Sequence, residues 1–205
     1  MPRVSDMKGR LMEAAMELMW QNSYGAASVD AICERAGAKK GSFYHFFKSK
    51  SQLAAAALEA DWNKKRGEMD RIFSPTVPPL ERLDRYFEFV YDRLVDVRDR
   101  CGGAILGCPF VSVGSEVSTQ DEMVRETIDG IMDRKLTYFV SAVRDAAAQG
   151  LIEAPDPDSK ARALFACYQG TIAQARIQND IDLLRQFKHV AREVLGVKRP
   201  EAVAT

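Results

Sequence analysis

Between Lys39 and Lys50 the chain reads KKGSFYHFFKSK, which packs four lysines, four aromatic rings and a histidine into one short run. Each residue type offers a different piece of chemistry toward a polyanion. Lys39 and Lys40 have the reach to donate to phosphate oxygens or to the acceptor edge of guanine. Gly41 has no side chain, so its backbone can come close to a base edge. Ser42 donates or accepts, while Tyr44 and His45 can bond a phosphate and lay a ring against sugar or a thymine methyl. Lys50 opens the next element, where a helix N-terminus and an ammonium together favour a phosphate. Phe43, Phe46 and Phe47 are spaced three and four apart, and this spacing assigns them to the core.

The chain as a whole is electrically balanced, with 29 Lys and Arg against 29 Asp and Glu. The distribution is not even. Residues 1–50 hold eight basic and five acidic residues, a net of +3, and the remainder compensates. No acidic residue occurs from Arg35 to Leu58, which describes a basic head on an acidic body. The four cysteines, Cys33, Cys101, Cys108 and Cys167, show no CxxC spacing, so neither a zinc ribbon nor a disulfide framework is expected. Two histidines and no clustered ligands give no metal site, and GAKKGS lacks the spacing of a phosphate-binding loop. No catalytic constellation emerges, so no catalytic residue and no cofactor is assigned. No run is apolar enough for a membrane span, and no export signal is read at the N-terminus; the expected location is cytoplasmic.

Helices account for nearly the whole pattern. Residues 5–22 carry Leu11, Ala14, Ala15, Leu18 and Met19 at helical spacing. Ser28 is placed to cap a short helix that Gly37 ends, and a second short helix runs over 39–46, giving a helix-turn-helix. Ser49 caps a long helix over 50–73, and SPTVPP breaks the chain after it. An amphipathic helix from Leu80, an irregular link over 101–110 and a long helix ending at Gly150 follow. Helices over 160–178 and 181–196 close the body as antiparallel neighbours. The expectation is an all-α protein of about nine helices. It has a helix-turn-helix head over 1–50, a helical body over 51–197, and a flexible tail over 198–205.

Residues 10–53, RLMEAAMELMWQNSYGAASVDAICERAGAKKGSFYHFFKSKSQL, resemble the DNA-binding domain of the TetR-type transcriptional repressors. The likeness runs through Tyr24-Gly25, Ser28-Val29, Ile32, Ala36-Gly37, Lys40-Gly41-Ser42, Tyr44-His45-Phe46-Phe47 and Ser49-Lys50. The departures are Ser23 for the usual Gly, Ala27 for Thr and Lys39 for Ser. The resemblance implies DNA binding for the head and ligand sensing and dimerisation for the body: a homodimer that places two heads on one palindromic double-stranded operator and is released by a small-molecule effector. Carried over by position, Ser28, Lys40, Gly41, Tyr44, His45 and Lys50 contact DNA, and dimerisation runs through 160–178 and 181–196. Lys39 and Ser42 join the DNA set from the residues themselves.

For the effector, Trp62, Phe87, Tyr91, Phe110 and Tyr168 are candidate lining residues, and Glu116 is placed either against a polar ligand group or at the surface. The stretch GCPFVSVGSEVSTQDEMVR over 107–125 resembles the N-ethylmaleimide reductase repressor subgroup, in which Cys108 matches a redox- and electrophile-sensitive thiol. A helix start at Pro109 would favour the Cys108 thiolate. The competing reading is a helical structural protein without sequence-specific DNA binding.

Overall fold

The computed structural model describes residues 4–117 and 119–197, and the tail expected over 198–205 lies outside them. Ten helices occur among these residues. The chain forms two compact units, Met1–Gly67 with Leu106–Asp133 and Glu68–Ile105 with Arg134–Thr205.

The first unit starts with α1 (Val4–Gln21), whose Leu11, Ala14, Ala15, Leu18 and Met19 form one buried stripe. α2 (Val29–Ala36) is capped by Ser28, whose Oγ accepts the Ala31 N–H at 3.1 Å. Gly37 ends it in the left-handed region at φ 60°, where a side chain would strain the backbone. The Ala38 N–H then bonds back to the Cys33 carbonyl at 2.8 Å, and Arg10 Nη2 donates to the Gly37 carbonyl at 3.3 Å. This stop turns the chain into α3 (Lys40–Phe46), which packs on α1 and α2. α4 (Lys50–Ile72) has the expected cap, with Ser49 Oγ accepting the Gln52 N–H at 3.1 Å. Leu53, Ala54, Ala57, Leu58 and Trp62 are its buried face. The irregular link gives way to α6 (Pro109–Val117), which packs on α1. Gly114 of α6 lies so close to Ile128 that an added Cβ would meet Cγ2 at 3.2 Å. Ile128 belongs to α7 (Glu122–Ala148).

The second unit holds α5 (Pro79–Arg100), α8 (Pro157–Gln178), α9 (Asp182–Arg185) and α10 (Phe187–Leu195), with the ends of α4 and α7. Its interior is a continuous set of rings. Phe139 lies 5.1–6.2 Å, centroid to centroid, from Phe73, Tyr86, Phe87, Phe165 and Tyr168, and Phe187 joins through Phe87 at 4.8 Å. Arg82, 2% exposed, is the most deeply buried charge among the described residues. Its guanidinium donates to Asp145 at 2.6 Å and to the Val77 and Pro75 carbonyls at 2.7 and 3.1 Å, pinning the turn before α5.

Two element boundaries differ from the sequence expectation. α8 starts at Pro157, because Asp156 Oδ1 caps the Ser159 N–H at 3.0 Å and proline suits the first helical position. The segment expected as one helix over 181–196 comes as α9 and α10. Bonds three residues apart, Leu184 N–H to Ile181 and His189 N–H to Gln186, tighten the chain around Gln186.

Candidate nucleic-acid interface

α3 stands on its rings. Phe43 and Phe47 are buried against each other with centroids 6.1 Å apart, and they hold the short helix to the head. Phe46, expected in the core with them, is half-buried and packs edge-on against His45 at 4.8 Å. It sits about 60° around the helix from Phe43, on the side away from Phe47, so it falls at the rim of the buried face. The opposite face is open. Lys39, Lys40, Gly41, Tyr44 and His45 are exposed, Tyr44 at 58%, and Ser42 is half-buried. Apart from its chain neighbours and the α3 backbone itself, no atom of the described residues lies within 4 Å of the place a Gly41 side chain would take, so backbone is offered there directly. Ser28 is exposed, but its hydroxyl oxygen already serves as the α2 cap.

The lysines differ in their commitments. Lys40 Nζ is paired with Asp30, at 2.8 Å from Oδ1 and 3.0 Å from Oδ2. The Asp30 hydrogen bond and charge hold the Lys40 pKa above its ordinary value. Lys39 flanks α3 in extended conformation with no capping bond from its side chain. Lys50 is turned inward: its Nζ donates to the Tyr24 carbonyl at 2.6 Å and lies 4.1 Å from the Tyr24 ring centroid. Burial lowers the Lys50 pKa, against the opposing charges of Glu116 and Asp121.

Those two acids form a clasp behind the interface, within the first unit. The Glu116 carboxylate accepts the backbone N–H groups of Tyr24 and Gly25, both at 2.7 Å. Gly25 allows this approach, since a Cβ there would sit 3.1 Å from Glu116 Oε1. Asp121 Oδ2 accepts the Tyr24 hydroxyl at 2.7 Å and also the Ser51 hydroxyl, while Oδ1 takes the Val124 N–H at 3.2 Å as the cap of α7. Burial pushes the Asp121 carboxyl up, but the bonds from Ser51, Tyr24 and Val124 and the Lys50 charge outweigh it, and the result is a lowered pKa. The Tyr24 phenol is pushed up to about 12, chiefly by burial and further by the Asp121 and Glu116 charges. One carboxylate pair thus ties the α1–α2 connection and the first turn of α4 to the α6–α7 segment. The α7 cap was readable as Asp121 before an apolar-periodic run. The long-range bonds carried no local signal.

The residues considered for effector sensing divide between the units. Trp62, Phe110 and Cys108 are buried in the first unit, where Glu116 belongs to the clasp. Cys108, 9% exposed, directly precedes α6, and its carbonyl accepts the Ser112 N–H at 3.0 Å. The carbonyls just before it, of Leu106 and Gly107, accept the Trp20 indole N–H at 3.2 and 3.1 Å. Phe87 and Tyr168 are buried together in the second unit with centroids 5.5 Å apart. Tyr91 faces an open cleft of about 570 Å³, where its hydroxyl accepts from Arg185 at 2.7 Å. Among the described residues no cluster of His, Cys, Asp and Glu fits a metal ion, and no helix is long and apolar enough to cross a membrane.

Comparison with known proteins agrees with this architecture. Residues 11–57 match the family described as bacterial regulatory proteins, tetR family, and residues 79–191, more than half of the chain, match the tetracyclin repressor-like C-terminal domain. The transcriptional regulator AcuR of Cereibacter sphaeroides is 27% identical over 86% of this chain and 80% of its own length. The transcriptional repressor DhaR of Mycobacterium sp. strain GP1 is 26% identical over 92% of both chains. The crystal structure of a regulatory protein TetR from Rhodobacter sphaeroides superposes with a TM-score of 0.79 at 26% identity, covering 91% of this chain and 97% of that one. Reduced NemR of E. coli shares the fold with a TM-score of 0.82 at 21% identity, over 96% of this chain and all of that one. With a helix-turn-helix head and a helical C-terminal body both matched, the chain belongs to the TetR family of DNA-binding transcriptional regulators.

Proposed function

We propose that the protein is a repressor that binds a palindromic operator as a homodimer and is released by a small-molecule effector. The observation that carries the DNA-binding part is the open face of α3. Lys39, Lys40, Gly41, Tyr44 and His45 stand exposed on a helix fixed from behind by buried Phe43 and Phe47. A second helix of this size and polarity fits the major groove, about 12 Å wide. Lys50 takes part in the clasp and orients the head.

The dimer part is supported by α8. Its exposed stripe is Ala163, Ala166, Gly170, Gln174 and Ile177, and Ile177 is 81% exposed. Small residues at that spacing let a second helix approach closely, and an isoleucine in water gains from being covered. Two heads related by a twofold axis would meet half-sites about 34–36 Å apart.

The effector part is supported by the second unit. Its ring-lined interior includes the Tyr168 hydroxyl bonded to that of Tyr86 at 3.3 Å. One turn beyond Phe165 on α8, Gln169 is 9% exposed, and neither its Nε2 nor its Oε1 has a partner among the described residues. A buried amide in that state costs about 1–3 kcal/mol per unmet group. An uncharged effector with an aromatic or apolar body and a carbonyl, amide or hydroxyl would satisfy it. In the resemblance to the N-ethylmaleimide reductase repressor subgroup, release by thiol modification would act at Cys108, which at 9% exposure must open locally before it reacts.

The test is selection from a randomised duplex pool by the purified protein, followed by fluorescence anisotropy over a salt series. Convergence on an inverted repeat, bound with strong salt dependence, is expected, because each neutralised phosphate adds about 0.9 to the slope. A pool that stays random after repeated rounds contradicts the proposal.

A further inference from the structure

The surface around α3 contains an acid in contact with a DNA-facing lysine. Asp30, in the first turn of α2, is exposed and grips Lys40 Nζ through both carboxylate oxygens. Lys39, the residue before, has no such partner among the described residues. The two adjacent lysines therefore meet DNA in different states, one as a free cation and one as half of a neutral pair.

We propose that Asp30 is a specificity-determining positioning residue: it withholds Lys40 from phosphates and aims its remaining ammonium donors at base edges. The inference rests on the DNA-binding reading above. An ammonium has three N–H donors, so the carboxylate leaves donors available to a guanine O6 or N7. A neutral pair displaces no counterion, so its contact gains nothing from the phosphate field that every sequence shares. The carboxylate also repels the phosphates of any duplex. That repulsion is offset only where the bases accept what Lys40 offers, which is how affinity becomes discrimination. Lys39 supplies the sequence-independent attraction.

Exposed ion pairs contribute little to folding, so stability gives no strong reason for this one. Asp30 does have a structural role open to it, since an acid in the first turn favours a helix. The two roles differ in what they predict. A helix-supporting charge moves the melting temperature and leaves DNA binding alone.

The experiment measures anisotropy of the full chain and its variants on a duplex selected by the wild-type protein and on a scrambled duplex, over the same salt series. Asp30→Asn is expected to tighten binding to scrambled DNA about three- to tenfold. It should steepen the salt slope by about 0.9 and lower the selected-to-scrambled ratio about tenfold. Asp30→Glu should restore the wild-type ratio, and Lys40→Ala added to Asp30→Asn should remove the extra slope. If Asp30→Asn keeps the wild-type slope and ratio while lowering the melting temperature, the proposal is overturned and Asp30 is a helix-supporting charge. If the wild-type protein itself selects no sequence, the DNA-binding reading fails first and takes the proposal with it.

Discussion

Taken each by itself, the two units differ in what stands out inside them. In the second, rings from α5, α7, α8 and α10, with Phe73 just after α4, fuse into one apolar mass around Phe139. In the first, the apolar packing of α1, α4 and α6 is supplemented by a few directional bonds that tie the α1–α2 connection and α4 to Glu116 and Asp121, with the Lys50 ammonium on the Tyr24 carbonyl. Ring burial is non-directional and large, and it tolerates small shifts. A carboxylate clasp is worth much less, and loses its strength once its geometry moves by about an ångström. Within the first unit, the clasp is the part that a small shift would weaken most.

Breaking the strong side should have the largest effect. Phe139→Ala removes a fully buried ring touching five others, and should cost about 3–5 kcal/mol in chemical denaturation. A loss below about 1 kcal/mol would show that the rings are not the body's main support. Arg82→Ala strands the Val77 and Pro75 carbonyls and the Asp145 carboxylate, and about 2–3 kcal/mol is expected in the same assay.

On the weak side, Asp121→Asn keeps a competent α7 cap but removes the charge that receives the Tyr24 and Ser51 hydroxyls. Its stability cost should be about 1 kcal/mol. Amide exchange should quicken around residues 23–28 and 49–52, while the second unit keeps its protection; unchanged exchange there would remove the clasp from the account. The smallest effect is a pH dependence. Asp121 is held below the ordinary carboxylate value of 3.8, so its contribution is present above that value and is lost as pH falls through the lowered one. The stability gap between wild type and Asp121→Asn should therefore close in acid. A gap that stays constant across that window would mean that the Asp121 charge contributes nothing.

The same contrast explains what could be read from the sequence. The helices, the Ser28 and Ser49 caps and the Gly37 stop are local devices, spelled out by residues within a few positions of one another. The buried stripe of α1 and the ring spacing of α3 were equally legible, apart from Phe46, which the same spacing placed one step too far inside. The clasp was not legible, because Tyr24 and Asp121 are 97 residues apart and periodicity says nothing about which side chains meet. Glu116 consequently read as a ligand group or a surface acid. Lys50 read as a phosphate contact, although its ammonium is engaged by the Tyr24 carbonyl. Arg82 escaped notice because a buried arginine on an apolar helix face looks like any solvated one until its carbonyl partners are seen.

On the proposed reading, the open face of α3 is the surface that meets DNA. The most direct measurement is the affinity of a Tyr44→Ala, His45→Ala double variant for a duplex selected by the wild-type protein, with thermal unfolding followed alongside. Both side chains are exposed, so the melting curve should stay close to that of the wild type. Affinity should fall by at least about tenfold, the equivalent of about one lost hydrogen bond to DNA. Undiminished affinity in a folded variant would contradict the account and place the DNA-binding surface elsewhere on the molecule.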